Sequence, residues 1–168
     1  GQAVQFLATQ PLGLVLTYTL GFAGRMDFEP EALPSVGVAV AQLVFYHLMF
    51  DAYFYWSHRA CHLPWIYSPV HKKHHRFAAS IGIASTYAHP VEEIFVNFAS
   101  TVVGPLIWPP HFLVWLLFFA CRVHETVDSH SGYELPWSPW RFVPAHGGAA
   151  RHDFHHSKNV GCYGMFTW

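Results

Sequence analysis

Residues 36–62 read VGVAVAQLVFYHLMFDAYFYWSHRACH. The run over residues 36–56 is apolar, broken by His47 and Asp51, and leads directly into His58 and His62. Roughly 20 apolar residues are needed to cross a hydrocarbon core of about 30 Å. On a helix the i, i+4 spacing of His58 and His62 stacks both rings on one face, one turn apart. The stretch therefore reads as a membrane span that delivers two imidazoles at its end. Three further apolar stretches flank it, over residues 4–22, 93–108 and 111–123. Pro109 and Pro110 separate the last two and cannot continue a helix, so these form a helical hairpin. The expected fold is all-α: a multi-pass membrane helical protein of about four transmembrane helices, with a histidine-rich cap on one face.

Composition narrows the class. The 168 residues are 52% hydrophobic and 11% charged, where soluble domains average about 25% charged. A water-soluble helical core is thereby disfavoured. Aromatic content of 18% excludes disorder. Nine Lys and Arg against ten Asp and Glu leave no basic excess for nucleic acid. The length suits a single domain, residues 1–168. Starting at Gly1 and stopping at Trp168 within an aromatic run, the chain is expected to be a piece of a longer polypeptide. Cys61, Cys121 and Cys162 are widely spaced and odd in number, and read as reduced packing residues.

Fourteen histidines outnumber all lysines and arginines, which points to metal chemistry. They concentrate in His58-Arg-Ala-Cys-His62, His71-Lys-Lys-His74-His75 and His152-Asp-Phe-His155-His156. Imidazole suits iron, zinc, copper and nickel. A structural zinc site needs only four ligands, so this many rings fit two octahedral ions with open positions better. His130 follows the fourth stretch directly and reads as a ninth ligand. Arg59, Lys72, Lys73 and Arg76 follow the second stretch, and Arg141, Arg151 and Lys158 follow the fourth. By the positive-inside rule both basic segments, which are also the histidine segments, face the cytosol. The loop from Arg25 to Ser35 then lies on the other side.

Other polar residues remain open between roles. His89 is a ligand, a hydrogen-bond donor to a ligand, or a helix-end residue. His124 is interfacial or supports a ligand. Asp51 either holds a ligand imidazole by its second N–H or belongs, with His47, to a polar stripe that makes a helix–helix hydrogen bond. His146, beside Gly147 and Gly148, reads as a bystander. His111, beside the two prolines, lies on the far face and is excluded.

At these residues the chain resembles the fatty acid hydroxylase/sterol desaturase superfamily of membrane di-iron enzymes. The resemblance runs from about Asp51 to Trp168. It is carried by the three histidine clusters and by Tyr55-Trp-Ser-His-Arg59, Tyr87-Ala-His-Pro90, Glu125-Thr-Val-Asp-Ser-His-Ser-Gly-Tyr133 and Pro136-Trp-Ser-Pro139. These segments are most similar to the methylsterol monooxygenase (sterol carbon-4 methyl oxidase) branch, with cholesterol 25-hydroxylase next. Phe54, His124 and Glu134 depart from relatives' patterns, Glu134 standing where fatty-acid 2-hydroxylases carry a further histidine.

The resemblance implies a four-helix membrane base in the endoplasmic reticulum with a cytosolic di-metal cap. It implies two iron ions as cofactor, dioxygen as co-substrate, and electrons from NAD(P)H through cytochrome b5 or a similar donor. The implied metal ligands are His58, His62, His71, His74, His75, His130, His152, His155 and His156, with His89, Asp51, Glu134 and His124 as supporting candidates. The expected reaction is hydroxylation of an unactivated C–H bond of a lipid, a sterol first, with fatty acid or sphingolipid hydroxylation as the alternative. An unactivated C–H bond is beyond any side-chain acid or base, so the cofactor must carry the chemistry. Tyr87, Phe95, Trp115, Tyr133, Trp137 and Trp140 are available to line the lipid's path. Lys72, Lys73 and Arg76 either receive an acidic electron donor or contact anionic headgroups. Readings from other classes are a histidine-rich metal transporter and a silent lipid-binding homologue. A transporter would keep its ligands near the bilayer midplane, whereas these clusters lie outside the apolar stretches.

Overall fold

The structure, a computed structural model, describes residue 15 and residues 23–166. The span expected over residues 4–22 falls outside the described residues apart from Val15. Every regular element among the described residues is helical, and isolated bridges pair Asp27 with His111 and His146 with Phe166.

Helix α1 runs Val36–Cys61. Ser35 caps its start, with Oγ accepting from the Val38 N–H. A short helix α2, Pro64–Tyr67, turns the chain into a 3-10 turn at His71–Arg76 and another at Gly82–Thr86. A long rod follows in three windings: α3 at Pro90–Glu92, a π-helical segment at Glu93–Phe98, and α4 at Ala99–Ile107. Helix α5 is Phe112–Ser129 and helix α6 is Gly148–Lys158. The rod and α5 are joined at Pro109 and Pro110, so the helical hairpin expected there is present.

Helix α1 packs along α4, and the contact needs a glycine. A Cβ on Gly104 would stand 3.0 Å from Tyr46 Cδ1 and 3.1 Å from its Cα. Tyr46 donates to the Trp108 carbonyl at 2.7 Å, and Gln42 donates to that of Pro109 at 3.2 Å. These bonds satisfy carbonyls that the break between the two helices leaves without a helical partner, as a buried backbone group requires. Tyr46, Phe50, Val114, Phe118 and Met165 form the core between α1, α5 and the C-terminal segment.

By length and composition α1 is the one described helix able to cross a membrane, against the expected four, and 22% of its apolar window is buried. Val36, Val40, Val44 and Leu48 point outward from it. Helix α5 reaches 18 residues but carries Arg122, Glu125 and Asp128. The Arg25 loop sits at the end away from the histidines, where Arg25 donates to the Leu106 carbonyl at 2.7 Å. His111 also lies there. Its Nδ1 accepts from the Leu113 N–H at the start of α5, consistent with its exclusion from the site.

Candidate metal centre

The end of α1 supplies His58, and His62 follows as the residue closing that helix. The 3-10 turn supplies His71, His74 and His75, the end of α5 supplies His130, and α6 supplies His152, His155 and His156. The structure gathers these nine into two groups. His58, His62, His71, His75 and His155 form one, and His74, His130, His152 and His156 form the other. Within each group the potential ligand atoms lie within 4.8 Å of one another. Spacing sorts them. The i, i+4 pairs His71/His75 and His152/His156 share a group, while His74 and His155, at i+3, cross to the opposite one.

Second ring nitrogens fix the tautomers. Nδ1 of His58 donates to the Tyr163 carbonyl at 2.7 Å, that of His155 to the Gly161 carbonyl at 2.7 Å, and that of His130 to the Thr126 carbonyl at 2.7 Å. His71 Nδ1 donates to Glu92 Oε1 at 2.8 Å. Carbonyl and carboxylate oxygens only accept, so each of these neutral rings keeps a bare lone pair on Nε2. Those lone pairs nevertheless face one another. Nε2–Nε2 separations are 3.1 Å for His58–His71 and for His155–His58, and 3.0 Å for His71–His62 and His75–His71. In the second group they are 2.8 Å for His152–His130, 3.1 Å for His156–His152 and 3.4 Å for His130–His74.

Protonation does not relieve this crowding. Burial pushes the His62, His130 and His155 rings down to about 4 and His75 to about 3, and, aided by neighbouring rings, it holds His71, His74 and His152 well below the ordinary imidazole range. A cation between the nitrogens does relieve it. Metal–imidazole bonds of about 2.0–2.1 Å at right angles place neighbouring nitrogens about 3.0 Å apart. The donor set therefore fits a pair of transition ions.

A cavity of about 490 Å³ opens beside both groups, touching His58, His74, His130 and His152. Its remaining wall is largely apolar, including Phe50, Phe54, Val96, Phe98, Val102 and Phe119. Of the six aromatics expected on the lipid's path, Trp115 lines it. Phe95, Tyr133 and Trp137 are exposed, Tyr87 accepts from Arg76, and Trp140 donates to His124.

The four supporting candidates do other work. Asp51 Oδ1 takes the backbone N–H of Met165 at 2.7 Å and of Phe166 at 3.3 Å. It anchors the segment whose Tyr163 carbonyl orients His58, so its effect on that ring runs through backbone. Glu134 Oε1 accepts from the Ala150 N–H at 2.7 Å and caps α6. His89 Nδ1 accepts from the Val91 N–H and caps α3. His124 is exposed, with Nδ1 accepting from Trp140 at 2.8 Å. None of the four belongs to either histidine group. His146, read as a bystander, is engaged: its Nε2 donates to Glu125 Oε1 at 2.9 Å, and Glu125 also pairs with Arg122.

Sequence reasoning missed Glu92. An acidic residue in a first helical turn reads as a partner of the helix dipole, and its only signal was a place three residues after His89. Cys61, Cys121 and Cys162 are free thiols, as read.

Residues 43–168 match the family described as fatty acid hydroxylase. The chain belongs to the fatty acid hydroxylase family. Among curated relatives of this chain, a very-long-chain aldehyde decarbonylase, GL1-11 of Oryza sativa subsp. indica, is 46% identical over 144 residues, 85% of this chain and 53% of the relative. Methylsterol monooxygenase 2-2 of Arabidopsis thaliana is 47% identical over 124 residues, 74% of this chain and 46% of the relative. Methylsterol monooxygenase 2-1 of the same plant is 44% identical over 158 residues, 87% of this chain and 57% of the relative. The chain thus spans about half the length of the curated relatives it matches. No solved structure matches it.

Proposed function

We propose that this chain is the metal-bearing core of a membrane di-iron monooxygenase acting on a C–H bond of a sterol, the carbon-4 methyl group first. The supporting observation is the pair of histidine groups, crowded lone pair to lone pair, at the head of an apolar cavity. His58, His62, His71, His75 and His155 would hold one iron, and His74, His130, His152 and His156 the other. Five and four imidazole donors would leave each ion room for a further ligand. Bound iron would supply dioxygen activation and oxidation of the unactivated bond, chemistry no side chain here possesses.

The chain's own residues bind, orient and exclude water. Glu92 and the Tyr163, Gly161 and Thr126 carbonyls hold their rings with Nε2 toward the metals. Phe50, Phe54, Val96 and Val102 supply a dry wall for the lipid. In this reading about four helices seat the protein in the endoplasmic reticulum membrane, with the histidines on the cytosolic face. Electrons arrive from NAD(P)H through a cytochrome b5-type donor near Lys72, Lys73 and Arg76.

Lipid profiling of membranes with and without the protein tests the substrate. Accumulation of 4-methylsterols on its loss is expected; unchanged sterols with altered sphingolipids would redirect the assignment. A second reading, oxidation of a very-long-chain aldehyde, is favoured by the decarbonylase relative at 46% identity and predicts accumulating aldehydes instead. Replacing His155 with Ala should abolish turnover and lower bound iron. Full turnover in that variant would remove His155 from the site.

A further inference from the structure

The cavity wall carries polar groups along one line of the rod. Glu93, Asn97 and Thr101 recur every fourth residue, and all three line the cavity. Asn97 Nδ2 donates to Glu93 Oε2 at 2.8 Å, and Thr101 Oγ1 donates to the Asn97 carbonyl at 2.9 Å. A carboxylate only accepts, so the Asn97 amide is forced to turn an N–H to Glu93. Glu93 Oε1 and Asn97 Oδ1 are left with no protein partner among the described residues, and both side chains are half-buried. Water reaches both oxygens while the cavity is open, but a lipid that fills the cavity displaces that water, and its own polar end must then replace those bonds.

Depth places the pair beside the reacting end. Glu92, the preceding residue, touches His71, so Glu93 is level with the histidines and Asn97 lies about one turn lower. Arg122, on the opposite wall, stands eight residues before His130, about 12 Å down the helix. It is already committed, paired with Glu125 and seated 3.6 Å over the Phe50 ring.

We propose that Glu93 and Asn97 form a hydroxyl-binding pair that holds the alcohol end of the lipid next to the carbon to be oxidised. The proposal rests on the reading of this cavity as the lipid site. An alcohol donates its O–H to Glu93 Oε1 or Asn97 Oδ1 and accepts the second Asn97 N–H, which satisfies both partners. An aldehyde or ketone can accept the same Asn97 N–H but has no proton to donate, so it leaves Glu93 Oε1 and Asn97 Oδ1 unsatisfied. The site therefore takes alcohols in preference to carbonyl compounds of the same skeleton, a distinction that separates the two kinds of relative.

The test is equilibrium binding to the iron-loaded, full-length protein in lipid nanodiscs. The probes are a 4-methyl-3β-hydroxysterol with its ketone and deoxy analogues, and octadecan-1-ol with octadecanal. Each alcohol that binds should exceed its matched analogue by about tenfold, the effect of one hydrogen bond to a charged group. Glu93→Leu and Asn97→Leu should each shrink that preference to about twofold or less. Unchanged binding of the deoxy probe by the variants reports an intact cavity. Wild-type protein without the preference, or preferring octadecanal, overturns the proposal without recourse to any variant. Variants that keep the full preference also overturn it. Iron retained after loading is a separate readout: protein that takes up no iron under those conditions yet keeps the alcohol preference would sink the oxygenase reading and leave the pair standing.

Discussion

His71 is fully buried, and its ring differs from those of His58, His130 and His155 in what holds it. Those three donate to backbone carbonyls, whereas His71 donates to the carboxylate of Glu92, itself 3% exposed. Burial pushes the Glu92 carboxyl well above its ordinary range. Beside a bound cation it would be ionised, its bond to His71 would be charge-assisted, and it would offset positive charge that neutral imidazoles leave uncompensated. Replacing Glu92 with Gln keeps a hydrogen-bond partner and removes the charge. Iron affinity, read by chelator competition, should fall about 10- to 100-fold with the melting temperature little changed. Unaltered affinity would show the carboxylate to be dispensable. This contact was invisible in the sequence because 21 positions separate the partners, and nothing in local spacing links them. The histidines themselves were legible because their spacing repeats the helical period. Asp51 and Glu134 were legible as polar residues out of place, but their partners are backbone N–H groups, which leave no trace in a side-chain pattern.

At the scale of elements, the start of α6 decides where His152, His155 and His156 stand. Gly148 has φ +68°, and a Cβ there would meet Glu134 Oε1 at 2.7 Å. The close approach lets that carboxylate reach the Ala150 N–H and cap the helix. Gly148→Ala should destabilise the protein by about 1–3 kcal/mol through backbone strain, and Glu134→Ala by about 1 kcal/mol through the lost cap. Both should also loosen iron, measured as metal retained after dialysis at a temperature well below melting. A Gly148→Ala protein with unchanged melting and metal content would refute this account of the helix start. The hairpin at Pro109 and Pro110 was readable because proline forbids a continuing helix. The π winding of Glu93–Phe98 was not, since it answers to the cavity and the neighbouring helices rather than to composition. Nor was the division of each His-x-x-His-His cluster between two groups, because spacing gives direction around a helix and says nothing of what waits there.

For the whole molecule, the buried rings make stability depend on acidity. The His62, His130 and His155 rings sit near 4 when folded, against about 6.5 in an unfolded chain. Between these values the unfolded chain binds more protons, so stability rises with pH. The sign is therefore definite: metal-free protein is at full stability above about 6.5 and loses it progressively as pH falls toward 4. Its melting temperature should drop steadily from pH 7 to pH 4.5, and bound metal should narrow the fall by competing with protons for the same nitrogens. A flat profile for the metal-free protein would mean that the rings are not buried together.

The two histidine groups are interleaved along the polypeptide. One draws on residues 58 to 155 and the other on residues 74 to 156, so both wait for α6. During synthesis the first group is complete only once the ribosome has made residue 155 and the second only at residue 156, with the last helix docked. Loading of the proposed iron pair would thus belong after translation, and a nascent chain stalled before residue 152 would present only partial coordination to whatever metal the cell happens to hold.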